Sequence, residues 1–181
     1  HTEQPGHPGY STAGAYAGQN AVLSRGSGWD AGNPYETAPL HLDQLLAPRL
    51  LSVGSADVSG FSCTTTFPGW TRPDPAALTV YTYPGPGATI YPSEIARELP
   101  YTPGQLVGVP PGARTGPYLI VLVDAPGQSP LANPASLTGA TLSGPAGLLA
   151  LKTVDGNAAL PGGSVSTLAA YMSPGGFIVP V

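Results

Sequence analysis

The sequence predicts an α+β protein in which a small α/β unit is followed by a proline-rich linker and an all-β unit. Three observations support this prediction: an amphipathic helix pattern near residue 40, strand patterns at roughly 8–12-residue spacing late in the chain, and dense Gly and Pro between them. We expect an α/β domain at residues 1–84, a linker wrapping the surface at 85–116, and a β-sandwich-like domain at 117–181.

Glycine and proline are the unusual feature of the composition. The 181 residues include 25 Gly and 23 Pro, whereas charged residues make up only 9%. Disorder is nevertheless the weaker interpretation, because nine tyrosines, two tryptophans and several β-branched apolar runs are untypical of disordered segments. We therefore expect a loop-rich fold with short strands.

Charge and hydropathy exclude two classes of function. The net charge is −4, and one lysine and five scattered arginines form no basic stripe that could neutralise phosphates, so we expect no nucleic-acid binding. No apolar run approaches the roughly 20 residues of a membrane-spanning helix. Few charges combined with many Gly, Pro, Ser, Thr and Tyr residues indicate an exported, extracellular protein.

Helix signals are weak before residue 36 and clear just after it. Residues 12–24 tolerate a short helical piece, although its glycines lower the helix propensity. From Thr37 onward a suitable N-cap is followed by Pro39 in the first turn and by an apolar stripe at Leu42, Leu45 and Leu46. We expect Pro48 to end or kink this helix, with residues 49–54 forming a second short helix.

The remaining elements are predicted as strands and one extended segment. β-rich patterns at 58–67 and 76–84 predict a β-hairpin with a long loop. Prolines punctuate 84–116, which also carries Glu94 and Glu98 and suits an extended linker. The strand patterns of the β unit are at 118–124, 135–144, 148–156, 164–172 and 177–181.

Both ends of the chain suggest a longer precursor. The first residue is His1, and the last five residues form an apolar strand pattern with no turn or polar tail after it. An unpaired apolar strand is a hazard for a folded domain. We therefore expect a processed, proteolysed or partly ordered form of a longer chain.

His41 is the most informative candidate residue, because it lies inside the clearest helix. A histidine there is more often a core or edge residue bonded to a backbone group, whereas a metal site needs several convergent ligands. His1 offers another option, since a terminal amine and its imidazole can chelate copper with a second histidine. The groups that could carry chemistry are His1, Glu3, His7, Gln19, Glu36, His41 and Asp43.

Familiar catalytic motifs are missing from the sequence. There is no HExxH motif, GxSxG elbow, GxGxxG fingerprint or P-loop, so nothing local favours a zinc protease, a serine hydrolase or a nucleotide cofactor. The single cysteine, Cys63, lies in a strand pattern, where such a residue is most often a small buried apolar side chain. A catalytic thiol would need a basic neighbour that the sequence around it lacks.

Three segments occur in an order that resembles a known family. They are the H-x-E pattern at 1–3, AGQNAVL at 17–23, and PYETAPLHLDQLLAP at 34–48. Together they resemble the CAP superfamily of cysteine-rich secretory, antigen 5 and pathogenesis-related proteins, in its secreted bacterial form. GQN stands where that family has a GEN-like turn, APLH where it has SPxH, and Tyr35 where it has tryptophan.

The resemblance implies a CAP-like α/β/α sandwich, here lacking its first helix, followed by a small β-sandwich-like domain. The family cleft holds two histidines and two acids, and some members bind zinc or another divalent cation there. By position, His1 and His41 match the histidines, Gln19 stands at the first acid, and Ala38 falls near the second, with Glu36 close by. Loss of both carboxylates weakens the expected metal affinity and acid–base catalysis.

The resemblance also bears on the cysteine, because the missing first helix is a place where a disulfide partner of Cys63 could lie. The first functional hypothesis is a secreted, non-enzymatic CAP-like module that binds a small ligand, a lipid or a cell-envelope component. Its cleft residues would be His1, Gln19, Tyr35, Glu36 and His41.

The alternative hypothesis is a divalent-metal-dependent hydrolase in the same cleft. His1 and His41 would hold zinc or another divalent cation, His41 and Glu36 would be the catalytic candidates, and water would be the nucleophile. A purely structural surface module with a vestigial cleft is the third option.

Overall fold

Strands organised in three antiparallel sheets dominate the fold. The computed structural model describes residues 3–25, 29, 33–89, 95–99, 101–129, 134–162 and 167–181. These residues contain three short α-helices: α1 (Thr12–Gln19), α2 (Pro39–Leu46) and α3 (Pro103–Leu106). Short 3-10 turns occupy Phe67–Gly69 and Leu168–Ala170.

The α/β/α sandwich implied by the CAP resemblance is wrong. Strands outnumber helices among the described residues, and the three α-helices contain only eight, eight and four residues. Helices this short do not form the two helical layers that such a sandwich requires. The physical reason lies in the composition, because frequent glycines and prolines lower the helix propensity of most segments and leave few stretches long enough for a long helix.

The first sheet has β3 (Phe61–Thr65) between β1 (Ala21–Arg25) and β2 (Gly54–Val58). β2 and β3 form a hairpin whose turn residues, Ser59 and Gly60, have φ angles of 51° and 78°. Positive φ at both turn positions matches the twist of the flanking strands.

The expected second helix at 49–54 is wrong, because the structure has no helix there and β2 begins at Gly54.

The second sheet has the order β4 (Thr79–Tyr83), β5 (Leu119–Asp124), β9 (Gly175–Pro180) and β8 (Leu151–Asp155). The two remaining strands, β6 (Ser143–Gly144) and β7 (Gly147–Leu148), form a small hairpin.

The predicted hairpin between 58–67 and 76–84 is wrong, because β3 pairs with β1 and β2 whereas β4 pairs with β5. The strand predicted at 118–124 is confirmed as β5. Of the segment 164–172, the described part contains a 3-10 turn rather than a strand.

β9 lies inside the second sheet. It pairs with β5 on one side and β8 on the other, and Phe177 and Val179 are fully buried. The expectation that this apolar strand is left unpaired is therefore wrong. Gly175 begins the strand with φ at 148°, and a Cβ there would lie 1.9 Å from the carbonyl oxygen of Val121, so only glycine fits.

The main core lies between α2 and the second sheet. Leu40 and Leu42 of α2 pack against Ile120 and Leu122 of β5 and against Phe177 of β9. Because β4 precedes residue 84 and β5 follows residue 116, this sheet contains strands from both units that the sequence predicts. Among the residues described, none of the helices has the length and apolar character that crossing a bilayer requires.

Candidate functional site

His41 forms a side-chain pair with Glu98. The ring Nδ1 contacts Glu98 Oε1 in a short hydrogen bond, and the two side chains are 18% and 1% exposed, respectively. Sequence reasoning missed Glu98 as a site residue, because it lies 57 positions away in the segment expected to be a linker. The sequence distinguishes Glu98 only as an acidic residue four positions after Glu94.

Glu98 also caps the N-terminus of α2. Its carboxylate accepts hydrogen bonds from the backbone N–H groups of Leu40, at 3.0 Å, and His41, at 2.8 Å. The first N–H groups of a helix have no partner within the helix, and a negative charge beside them is stabilised by the helix dipole.

The expected cap at Thr37 is wrong. The N-cap residue is Ala38, which has no side chain that could accept these bonds, so a distant carboxylate takes the role.

Tyr35 stacks on one face of the His41 ring, whereas Glu98 bonds to a nitrogen at the ring edge. The two rings are stacked, with centroids 5.8 Å apart and planes 10° from parallel. Tyr35 is 1% exposed, and its hydroxyl lies 3.1 Å from the carbonyl oxygen of Val22 and 3.3 Å from that of Ser62. Tyr35 is therefore a core residue that links α2 to the first sheet.

The other predicted cleft residues are not gathered around His41. Gln19 is exposed at the end of α1, and Glu36 is exposed beside a separate cleft whose lining does not include His41. His1 lies outside the described residues. Among the residues that are described, no group of three or more His, Cys, Asp and Glu side chains could hold a metal ion.

A cleft of about 730 Å³ opens between α2 and the second sheet. Pro39 and Leu42 of α2 form one wall, and Tyr83 of β4 and Ile120 of β5 form another. Tyr118 and three prolines complete a lining in which apolar surface exceeds polar surface. No periodic pattern in the sequence signals this cleft, because its walls come from segments that are distant along the chain.

Three exposed charged side chains border the cleft: Glu36, Arg97 and Arg114. The backbone N–H of Arg97 donates to the carbonyl oxygen of Thr37 at 2.8 Å, which attaches the cleft border to the start of α2. Because Glu98 is the next residue, one short segment both caps α2 and carries a cation beside the cleft.

Asp43 is the carboxylate that α2 itself contains, and it is completely buried. Oδ2 accepts a hydrogen bond from the backbone N–H of Ser173 at 2.7 Å, and the Ser173 hydroxyl lies 3.1 Å from Oδ1. Burial raises the pKa of Asp43 to about 7, and the nearby Glu98 adds to this effect, whereas the Ser173 hydrogen bonds oppose it. The carboxyl joins α2 to the segment before β9.

Arg49 fastens the chain after α2 to the end of β5. Its guanidinium pairs with Asp124 and Asp74 and donates to the carbonyl oxygen of Ala125 at 3.1 Å. The Arg49 hydrogen bond is the main cause that lowers the pKa of Asp74. These contacts are structural, because they fix the position of a loop.

Cys63 lies in β3, as the strand pattern predicted, and it is half-buried. Burial raises the pKa of its thiol, with Glu3 adding to the effect, so the reactive thiolate is disfavoured at neutral pH.

Comparisons with protein-family models, with curated proteins and with solved structures find no match to this chain.

Proposed function

We propose that the protein is a non-enzymatic extracellular binding module whose cleft takes an apolar ligand that carries one anionic group. The observation that supports this proposal is the cleft itself, about 730 Å³ in volume, with apolar walls and two arginines at its border. Small-molecule sites typically have volumes of about 300–1,000 Å³ and are mostly apolar with a few polar groups.

The apolar body of the ligand is inferred from the walls. The half-buried Tyr83, Pro84 and Ile95 offer apolar surface that gains free energy when a ligand removes it from water. Leu42, Ile120 and Tyr118 are already buried and contribute little exposed surface of their own. The prolines beside them are rigid and lose little conformational freedom on binding. A hydrocarbon chain or a ring system fits this lining better than a sugar or a polar peptide does.

The anionic group is inferred from the border of the cleft. Arg97 has an exposed guanidinium, which can bind a carboxylate through two parallel hydrogen bonds, and Arg114 lies on the same border. Glu36 on the same border disfavours a second negative charge on the ligand. A monocarboxylate with an apolar body, such as a fatty acid, is the chemical class that satisfies both parts of the cleft.

Calorimetric titration of a medium-chain fatty acid, beside the alcohol of equal chain length, tests this proposal. We expect the acid to bind more tightly than the alcohol, and Arg97→Met to weaken acid binding about tenfold, since a hydrogen bond to a charged group contributes at least about 1.5 kcal/mol. Arg25→Met, which removes an equal charge from β1, is the matched control. Equal binding of acid and alcohol, or no binding of either, would contradict the proposal.

A divalent-metal-dependent hydrolase is the second candidate, and one observation favours it. The His41 Nδ1 is engaged by a buried carboxylate, which is the arrangement that orients many metal-binding histidines and leaves Nε2 for the metal. Zinc titration into the wild-type chain and His41→Ala distinguishes the candidates. Tight binding that His41→Ala abolishes would favour the hydrolase, with His1 as a further candidate ligand.

The extracellular location is proposed from the composition alone. Charged residues are only 9% of the chain, whereas the 25 glycines and 23 prolines together make up about a quarter of it. Fractionation of the source cells, with detection by an antibody against this chain, tests it. Recovery of the protein only from the cell interior would contradict this part of the proposal.

A further inference from the structure

We propose that strand β4 is the surface through which two copies of this chain associate, by antiparallel pairing of one β4 with the other around Tyr81. β4 is an edge strand of the second sheet, in the order β4-β5-β9-β8. It pairs with β5 along all five of its residues, and none of the other described strands pairs with its outer side. Unpaired backbone groups on an edge are a template for another strand.

The four edge strands of the two larger sheets differ in charge. β1 ends in Arg25, β2 contains Asp57, and β8 contains Lys152 and Asp155. Charged side chains on an edge are a common protection against pairing with another chain. β4, with the sequence TVYTY, is the one edge strand of these four without a charge.

Exposure separates β4 from the opposite edge. Leu78, just before the strand, is 65% exposed, and Val80 and Tyr81 are 57% and 45% exposed. β8 at the other edge contacts α3. Among the described helices and strands, β4 has extensive contacts only with β5. An uncharged strand with exposed apolar side chains is therefore left at one end of the sheet.

The strand is complementary to itself. In a two-fold antiparallel pair around Tyr81, that residue lies opposite its own copy, Val80 lies opposite Thr82, and Thr79 lies opposite Tyr83. Aromatic and β-branched cross-strand pairs of this kind stabilise a sheet. No charged residue occurs between Pro75 and Thr89, so the paired strands themselves bring no like charges together.

A shallow groove beside β4 supports a second strand. The groove has a volume of about 370 Å³ and is bordered by Tyr81 and Tyr83 of β4, by Leu45 and Leu46 of α2, and by Leu122. The exposed Arg72 also lines it. Recognition of an added strand uses main-chain hydrogen bonds for affinity and neighbouring pockets for side chains. A second copy is the occupant that fits, because β4 itself is an uncharged apolar strand and a two-fold contact closes at two chains.

Sedimentation of the intact chain at concentrations from about 1 µM to about 1 mM tests the proposal. We expect the wild-type chain to form a dimer and Val80→Lys to weaken it at least about tenfold, because the two-fold axis brings both lysines into one interface. Ala56→Lys adds the same charge to exposed β2 and should leave the dimer unchanged. Circular dichroism of each variant checks that the fold is retained.

A cross-linking experiment tests the pairing directly. Opposed residues of antiparallel strands have Cα atoms about 4.5–5.5 Å apart, within reach of a disulfide. In a Cys63→Ser background, Tyr81→Cys should therefore form a linked dimer under mild oxidation, whereas Ala56→Cys should not. A monomer at every concentration, a dimer that Val80→Lys leaves intact, or a dimer that Tyr81→Cys fails to link would each overturn the proposal. Binding of an extended apolar peptide to a chain that stays monomeric would also overturn it.

Discussion

Glu98 caps the N-terminus of α2 and also forms a hydrogen bond with the His41 ring. The N-cap residue, Ala38, has no side chain that could cap the helix. The carboxylate accepts the backbone N–H groups of Leu40 and His41 and pairs with the His41 ring. A single side chain from a segment 57 residues away therefore fixes both the start of a helix and the orientation of a histidine.

The first prediction concerns this cap. Glu98→Ala leaves two N–H groups at the start of α2 without their acceptor, and we expect the free energy of unfolding to fall by about 2 kcal/mol. Glu98→Gln keeps one acceptor oxygen and should cost less. Urea unfolding measures both. Glu36→Ala, an exposed carboxylate near the same helix, is the control and should change stability by less than about 0.5 kcal/mol. Equal effects of Glu98→Ala and Glu36→Ala would contradict the capping role.

The second prediction follows from the raised pKa of Asp43. Because this pKa is about 7 in the folded chain and 3.8 ordinarily, the folded state binds more protons than the unfolded state between these values. The contribution of Asp43 to stability therefore falls as the pH rises from about 4 to about 7, by at most about 4 kcal/mol, and is constant outside that window.

Asp43→Asn isolates this effect. The amide oxygen can accept the Ser173 N–H, and the amide nitrogen can donate to the Ser173 hydroxyl, so the contacts are retained without a titrating group. Thermal unfolding across the pH range should show a flatter profile for the variant and higher stability than the wild type at neutral pH. Parallel profiles for the two proteins would show that Asp43 does not titrate as described.

The third prediction separates the two partners of Arg49. The Asp124 side chain is 8% exposed beside a buried guanidinium, so Asp124→Asn should lower the free energy of unfolding by about 3 kcal/mol. Asp74 is 56% exposed, and Asp74→Asn should have a much smaller effect because solvent screens that pair. Denaturant unfolding compares the two variants. A larger loss for Asp74→Asn would reverse this assignment.

The fourth prediction tests the strand junction at Gly175. A Cβ at this position would lie 1.9 Å from the Val121 carbonyl oxygen, so Gly175→Ala must displace β9 from β5. We expect a loss of more than about 2 kcal/mol, since both the strained φ and the overlap oppose the change. Gly139→Ala, where no atom lies within 4 Å of an added Cβ, is the control. Comparable thermal unfolding of the two variants would contradict the required close approach.

Sequence patterns correctly predicted the helices and strands that depend mainly on neighbouring residues. The helix signals around Pro39 and the leucines correspond to α2, and the continuous apolar run at 118–124 corresponds to β5. Cys63 lies in a strand because its neighbours alternate and are β-branched.

Sequence patterns did not predict which strands pair with each other. β2 was missed because GSADV is exposed throughout and has no alternation, so its strand state depends on pairing with β3. β4 was assigned to the wrong partner because a strand pattern does not say which strand lies beside it. The fold class was wrong for the related reason that motif order does not determine layer arrangement.

The role of the candidate site residues stays a prediction. Tyr35 and His41 are neighbours in the structure, as the clustering of candidates around α2 suggested. Glu98 and the cleft border could not be derived, since both depend on a distant segment that folds back against the start of α2.

The joint use of one segment by α2 and the cleft has a consequence for hydrogen exchange. The amide protons of Leu40 and His41 are released to solvent only when Glu98 withdraws from them, and Glu98 is bonded directly to Arg97 at the cleft border. A ligand that holds Arg97 in place would slow the exchange of those two protons, although it touches neither of them. The exchange rates of the Leu40 and His41 amide protons therefore report whether the cleft is occupied, and no label on the ligand is needed.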